Sequence, residues 1–590
     1  MTKTEAASGQ SAAMAHQPVE IAAAGSSETS PGGDYPWMAN YPDGISWQME
    51  LTPEPLHALV ARAARLFPNN PALTFLGRTT TYGQLAAEID RVAAGLQIAG
   101  VTKGTKVGLF LPNTPTFVVF YYAILKAGGT VVNFNPLYTI EELTFQVRDS
   151  ETRFMVTHDL AILFNKVEQL VAANVLERTI VVPFVDVLPS LKAKLFGLFK
   201  RKELANIAGS AIKDRIVDGR ALATTTDRMA PVAIDPIEDV AVLQYTGGTT
   251  GTPKGAMLTH ANLYANTIQI DTWASDLVPG QERVLGALPL FHVFAMTVVM
   301  NLGISKAAQI ILMPRFQLVD ALKLIHKLKP TMMPAVPTIF TAMLNYPKVK
   351  SYNLSSLRFC ISGGAPLPLE IKQRFEALTG CHVCEGYGLS EASPVLTCNP
   401  VHGLVVPGSI GPPVPGTVIS LRDLEDPTKE VPRGERGELC ATGPQVMKGY
   451  WNKPAETEQQ FLGKFLRTGD VAIMDEYGFF SIVDRIKDLI ICSGFNVYPR
   501  RIEEAIYQHP SVAEVTVIGI KDTYRGEAPK AFIKLKPGMT ATAADILKHL
   551  EPKISKIEMP AAIEFRDELP KTMIGKLSKK ELAAEEAKRN

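Results

Sequence analysis

The sequence predicts an α/β fold: a large N-terminal domain of two α/β lobes plus a small β-barrel, then a smaller α+β domain. Three observations carry this. Helix-period and strand-period apolar segments alternate over residues 56–185 and again over 240–391, as in largely parallel sheets flanked by helices. Over residues 394–484 the strands shorten and Gly and Pro become dense, the composition of a small barrel. From about residue 484 a mixed helix and strand stretch runs to the end. A chain of 590 residues is too long for one core, so several packed units are expected.

Taken in order, residues 1–33 are mostly small and polar and read as a disordered tail without the apolar run of a signal peptide. Residues 59–67 form a helix, and Ala72-Leu-Thr-Phe75 and Thr79-Thr-Thr-Tyr82 flank Gly77 as a hairpin. Residues 82–96 are helix, 106–112 a buried strand, 116–127 helix and 130–134 strand. Residues 240–243 begin the second alternating stretch. Residues 284–305 carry no Asp, Glu, Lys or Arg and are long enough to span a bilayer, but Pro289, His292 and Asn301 interrupt them. A buried strand, a loop and a core helix from about Phe294 is the better reading. In the last domain, helices are expected at 500–508 and 544–550 and strands at 512–520 and 531–535. The expected boundaries are a tail at 1–33, a large domain at 34–486 and a small domain at 487–590.

Sixty basic residues face fifty-nine acidic ones, so no global field favours nucleic acid, and an anion site must be built locally. Hydrophobic residues at 46% and charged residues at 20% exclude a mostly disordered chain, a collagen-like repeat and a polytopic membrane protein. Six cysteines in this length form no disulfide framework and fit a reduced, cytoplasmic compartment. Cys381-His-Val-Cys384 has no second Cys/His pair to complete a metal site and reads as a buried strand. Residues 191–202 combine five basic side chains with Leu191, Leu195, Leu198 and Phe199 on one side of a helix; Phe196 and Lys202 fall off the pattern. Two readings stay open there: a plain solvated helix, and peripheral contact with an anionic membrane surface.

The strongest chemical signal is Tyr245-Thr-Gly-Gly-Thr-Thr-Gly-Thr-Pro-Lys-Gly255, which follows a buried strand. Its four glycines let backbone approach a ligand closely, four threonine hydroxyls donate to anionic oxygens, and Lys254 adds charge. It is not a Walker A loop, because Pro253 precedes the lysine and Gly255 follows it.

This loop resembles the phosphate loop of the adenylate-forming superfamily of acyl-CoA synthetases, luciferases and peptide-synthetase adenylation domains. Further segments resemble that superfamily's motifs in order: Pro289-Leu-Phe-His292, Ser362-Gly-Gly-Ala-Pro366, Gly386-Tyr-Gly-Leu-Ser-Glu391, Arg467-Thr-Gly-Asp470, Asp484-Arg-Ile-Lys-Asp488 and Pro570-Lys-Thr-Met-Ile-Gly-Lys576. The resemblance covers about residues 50–585, and residues 468–499 look most like bacterial long-chain fatty acid–CoA ligases. It departs at Gly463-Lys464, where that signature usually begins Asp-Gly, and at Ser390, where Thr is usual.

The resemblance implies ATP and AMP contacts from Thr246, Gly247, Gly248, Thr249, Thr250, Gly251 and Lys254, from the adenine-side Gly364 and Ala365, and from Gly386, Tyr387, Gly388 and Ser390. It implies Mg²⁺ on Glu391, with Thr246 as a second ligand, ribose hydroxyls on Asp470, and Arg485 on ribose or phosphate. His292 would sit where the acyl and pantetheine sites join, Lys576 would stabilise charge during adenylation, and Lys487 would be the hinge of a mobile C-terminal domain. Plain alternatives exist for each: Glu391 capping a turn, Asp470 bonding its own backbone, Arg485 in a surface ion pair, His292 packed in a core. The implied activity is ATP-dependent conversion of a fatty acid to acyl-adenylate and then, with coenzyme A, to acyl-CoA. A ligase for a medium-chain, dicarboxylic or aryl acid is the alternative, and an inactive adenylate-binding protein is the non-enzyme one. The implied partners are the fatty acid, ATP and coenzyme A, with no nucleic acid; a homodimer stays open.

Overall fold

The structure, a computed structural model, describes residues 35–246, 252–493, 495–572 and 575–589. The expected tail at 1–33 and Gly247, Gly248, Thr249, Thr250 and Gly251 lie outside the described residues.

Two α/β sheets form the body of the chain. The first has seven strands in the order Ile216–Asp218, Arg178–Val182, Phe154–His158, Lys106–Leu109, Thr130–Asn133, Val240–Thr246 and Lys254–Thr259. All neighbours are parallel except the last pair, which is an antiparallel hairpin. The second has eight strands in the order Val395–Cys398, His382–Gly388, Phe359–Ser362, Met332–Ala335, Arg283–Gly286, Gln309–Leu312, Pro71–Phe75 and Arg78–Thr81. Parallel strands covered by helices must be apolar on both faces, and the helix Pro115–Lys126 against the first sheet buries all of residues 116–125. Helices start where the sequence supplies caps: Thr81 with Gln84, Thr139 with Glu142 and Thr259 with Asn262 each close a reciprocal capping box.

The lobes do not follow the two alternating stretches of sequence. The expected hairpin Pro71–Phe75 and Arg78–Thr81 leaves the first stretch and pairs in parallel with Gln309–Leu312 of the second sheet. Conversely, Val240–Thr246 opens the second stretch but joins Thr130–Asn133 of the first sheet. Strand order in a sheet is decided by which buried surfaces meet, not by local pattern.

Residues 394–484 contribute Val395–Cys398 to the edge of the second sheet. The rest of the expected barrel is a five-stranded antiparallel sheet in which Phe465–Met474 pairs with Gly437–Thr442, Phe461–Leu462 and Phe480–Arg485. Among the described residues no pairing closes it into a ring. After a short turn at Ile486–Asp488 the chain enters another sheet, built on the long hairpin Val512–Asp522 and Gly526–Leu535 with Ala562–Phe565 parallel to its second arm. The helices Pro499–Tyr507 and Ala543–Leu550 pack their apolar faces into that domain's own core with Ile502, Ile506, Ile546 and Leu550.

Residues 284–305 run as the end of the strand Arg283–Gly286, a loop, and a buried helical stretch from Val293 with a π turn at Met296–Asn301. Among the described residues no helix is long and apolar enough to cross a membrane. All six cysteines are buried and free.

Candidate active site

Loops from both sheets, the antiparallel sheet and the small domain converge on a cavity of about 2180 Å³. Its wall includes Thr246, His292, Gly364, Ala365, Gly386, Tyr387, Gly388, Ser390, Glu391, Asp470, Arg485, Lys487 and Lys576. The sequence-predicted residues that can be described are thus brought together, with one exception. Lys254 pairs across from Thr246 in the hairpin and places its amine 5.0 Å from the centre of the Tyr450 ring, behind the wall.

Glu391 lies in the turn Ser390–Ala392, just beyond the strand His382–Gly388, and is buried. The Tyr450 hydroxyl donates to Glu391 Oε1 at 2.8 Å. Burial pushes the carboxyl above the ordinary carboxylate range, opposed by the Tyr450 hydrogen bond and the Lys254 and Lys487 charges. Tyr450 reaches this position because backbone bonds Met257 N–H to Gly449 O and Trp451 N–H to Gly255 O, each 2.8 Å, zip its segment onto the strand Lys254–Thr259. Among the described residues no cluster of three His, Cys, Asp or Glu side chains forms a metal cage. A buried carboxylate beside a threonine at a strand end still fits magnesium, which takes few protein ligands and keeps several waters.

Asp470 and Arg485 face each other on paired strands, with Arg485 Nε 3.2 Å from Asp470 Oδ1. The Tyr387 hydroxyl donates to Asp470 Oδ2 at 2.6 Å. The preceding turn is fixed: Thr468 Oγ1 donates to Leu439 O at 2.7 Å, and Gly469 N–H donates to Glu438 Oε1 at 3.2 Å. Asp470 is therefore held by other chain elements and is not merely a turn residue bonding its own backbone.

Lys576 enters on a tight hairpin of the small domain, in which Lys571 bridges Leu577 and Gly575 N–H donates to Thr572 O at 2.8 Å. Two glycines make room for it. Gly364 has φ +83°, and a Cβ there would lie 2.9 Å from Lys576 Cε. Gly575 also has φ +83°, and its Cβ would lie 2.8 Å from Thr338 Oγ1. Burial, helped by the Arg485 charge and opposed by Asp470, lowers the Lys576 amine to about 8. Lys487, in the turn Ile486–Asp488, is likewise lowered, first by burial and then by Arg485.

His292 Nδ1 accepts the Phe294 N–H at 3.3 Å and so caps the buried helical stretch. Burial, helped by the Lys576 charge, pushes the ring down to about 3. The imidazole is therefore neutral at physiological pH, with one nitrogen committed to backbone. That suits positioning better than proton transfer.

Sequence reasoning missed Tyr450, which contacts Glu391 and lies under Lys254, and Glu438, which holds the turn before Asp470. It also missed Val336 and Thr338, against which the Lys576 hairpin rests. A tyrosine after Gly449 and a glutamate in a short strand carry no signature of their own; only the pairing of segments distant in sequence reveals them.

A large cavity between a large and a small domain, entered by a lysine of the small one, in a chain that superposes on ATP-bound CoA ligases, defines an adenylate-forming acid–thiol ligase. The chain belongs to the AMP-binding enzyme family, matching it over residues 60–451 and its C-terminal domain over residues 501–576. It is 42% identical over 551 residues to a long-chain-fatty-acid–CoA ligase of Bacillus subtilis, covering 93% of this chain and 98% of that one. It is 37% identical over 556 residues to one of Escherichia coli O6:H1, at 93% and 98% coverage. Among solved structures, ATP-bound MatB from Rhodopseudomonas palustris superposes with a TM-score of 0.78 at 31% identity, over 90% of this chain and 98% of that one.

Proposed function

We infer that the protein is an AMP-forming long-chain fatty acid–CoA ligase. The observation that carries the reading is the convergence of Glu391, the Asp470–Arg485 pair and Lys576 on one cavity, in a chain similar to such ligases over nearly its whole length. A carboxylate is a poor acyl donor because its leaving group would be oxide. In the first half its oxygen attacks the ATP α-phosphorus, the bond to the β-phosphate oxygen breaks, and pyrophosphate leaves. In the second half the deprotonated sulfur of coenzyme A attacks the acyl carbon, and AMP leaves with the former carboxylate oxygen. No covalent enzyme intermediate is needed; the protein positions the reactants and neutralises charge.

Asp470 accepts the ribose hydroxyls, with its carboxylate oriented by Tyr387 and Arg485. Gly364 and Ala365, with Gly386, Tyr387, Gly388 and Ser390, line the adenine side. Thr246 and the Gly/Thr run that follows it hold the phosphates, and Lys254, over the Tyr450 ring, adds positive charge near Glu391. Glu391 and Thr246 would hold Mg²⁺, which supplies charge neutralisation at the phosphate oxygens. Lys576 stabilises charge between the phosphate and the acyl carboxylate, and His292 positions the loop where the acyl and pantetheine paths meet. Lys487 is the hinge dividing residues 34–486 from 487–590. The change of sheet between Phe480–Arg485 and Ile490–Cys492 supports that division. The approach of Lys576 to Gly364 supports reading this arrangement as the one for the first half-reaction, from which rotation at the hinge would withdraw the lysine for the second.

The acyl chain takes the apolar wall of the cavity at residues such as Ile270, Trp273, Val395, Cys398, Ile410 and Val414. A dicarboxylate would need a cation beside its second charge, which would otherwise be buried unpaired. The protein works in the cytoplasm. The test is pyrophosphate release and thioester formation with a panel of straight-chain acids differing only in length, beside a dicarboxylate and an aryl acid. The highest kcat/KM is expected for a long-chain acid; a maximum at the dicarboxylate or aryl acid would refute the substrate class.

A further inference from the structure

The helix Ser190–Phe199 is built inside out. Leu191, Leu195, Leu198 and Phe199 are 71%, 46%, 72% and 74% exposed, whereas Ala193 and Phe196 on the other side are partly buried. The Phe196 ring packs 5.3 Å from Phe184, so the residue that breaks the amphipathic pattern is the one that holds the helix down. At 100° per residue the four exposed apolar side chains span an arc of about 100°. Lys194 lies just beyond one edge of that arc and Lys192 just beyond the other. A surface helix ordinarily turns its apolar arc toward the core, and this one turns it to solvent with a lysine on each flank.

The surroundings extend the same character. The Lys192 amine donates to Leu76 O at 2.7 Å, which places the tip of the first hairpin, with its own exposed leucine, beside the arc. Lys200, Arg201 and Lys202 follow the helix at its end and are exposed. The nearby carboxylates are already committed: Glu203 to Lys200 and Asp186 to Arg220. Lys194, Arg201 and Lys202 enter no ion pair among the described residues, so the patch keeps a positive excess around an apolar centre.

We propose that this face docks on an anionic lipid bilayer, with Leu191, Leu195, Leu198 and Phe199 in the headgroup–acyl boundary and the flanking basic side chains on lipid phosphates. The charge complementarity selects this occupant. A second copy of the face would bring like charges together around the same apolar arc, whereas an anionic surface satisfies both parts at once. The purpose assigned to the contact, collecting an acid that partitions into bilayers, rests on the long-chain reading above; the contact itself does not.

The test is co-sedimentation of the full chain with phosphatidylcholine vesicles, with and without phosphatidylglycerol, beside two variants. One is Leu198→Ser with Phe199→Ser; the other is Lys194→Glu with Arg201→Glu and Lys202→Glu. The unaltered protein is expected to bind only the vesicles containing phosphatidylglycerol. Each basic side chain near such a surface contributes about fivefold, so the charge variant should lose binding on the order of 10²-fold. The apolar variant should lose it comparably, while both keep ligation of a short, soluble acid. Equal binding by all three proteins, or equal binding to neutral vesicles, overturns the proposal. So does self-association that the apolar variant abolishes without any vesicle binding, which would give the face to a second copy. Vesicle binding by a protein that ligates no acid of any length would uphold the docking and sink the ligase reading.

Discussion

The glycine before Lys576 offers the sharpest handle on how the small domain delivers that lysine. Gly575 combines φ +83° with a position where an added Cβ would stand 2.8 Å from Thr338 Oγ1 and 3.4 Å from Val336 Cγ2. Gly575→Ala therefore meets two costs. Holding alanine in the left-handed region costs about 1–2 kcal/mol, or roughly 5- to 30-fold in the population of the seated hairpin. The contact with Thr338 adds to this, because Thr338 sits in the first turn of the helix Pro337–Leu344 and cannot withdraw its backbone. Displacing the hairpin by about 1 Å is enough to cost on the order of 10²-fold in a positioned reaction. Adenylation, read as ATP–pyrophosphate exchange, should fall by about 10- to 10²-fold. Thioester formation from pre-formed acyl-adenylate and coenzyme A should stay near the rate of the unaltered protein, since Lys576 is withdrawn in that half. Adding Thr338→Ala should recover the contact component and leave the backbone one. Full exchange activity in Gly575→Ala, or equal loss in both half-reactions, would refute the account of a seated hairpin.

Lys576→Ala should lose roughly 10²–10³-fold in exchange and spare the thioester half. With its amine lowered to about 8, Lys576 is charged below that pH and neutral above it, so exchange should decline as pH rises through about 8. Lys576→Arg should move that decline to higher pH, because a guanidinium stays protonated. Glu391→Gln keeps the acceptor for Tyr450 but removes the charge, so exchange should fall and the apparent Mg²⁺ requirement rise in a metal titration. Lys487→Pro stiffens the turn Ile486–Asp488, so pyrophosphate release should survive in single turnover while thioester formation stalls.

Most of the candidate residues that line the cavity were named in the sequence because they stand in short motifs that resemble those of a known superfamily. The Thr/Gly run is readable from residue bias alone, whereas the roles of Asp470 and Lys576 come only from the resemblance, since by itself Lys576 reads as a surface lysine. Helix starts were legible for a similar local reason, since Thr81, Thr139 and Thr259 carry their own capping partners three residues on. What stayed hidden is non-local. Nothing in Ala72-Leu-Thr-Phe75 says that it pairs with Gln309–Leu312, and nothing in Val240–Thr246 says that it returns to Thr130–Asn133. Yet those exchanges shape the site. Because Val240–Thr246 belongs to the first sheet and His382–Gly388 to the second, Thr246 and Glu391 come from different sheets and meet only where the lobes abut. The same limit explains residues 191–202: periodicity put four apolar side chains on one side of a helix, but only the packing of Phe196 on Phe184 says that this side faces out. Short motifs can therefore name the candidate groups, while the partners that hold them, such as Tyr450 on Glu391 and Glu438 under Asp470, follow from sheet order. A variant series confined to the motifs would test only the first kind of residue. Tyr450→Phe tests the second: it leaves every motif intact, yet takes the hydroxyl from a buried carboxylate, a change worth about 1.5–3 kcal/mol for a hydrogen bond to a charged group. If exchange at limiting Mg²⁺ is unchanged in that variant, Glu391 does not depend on its partner, and the sheet-order argument fails at this residue.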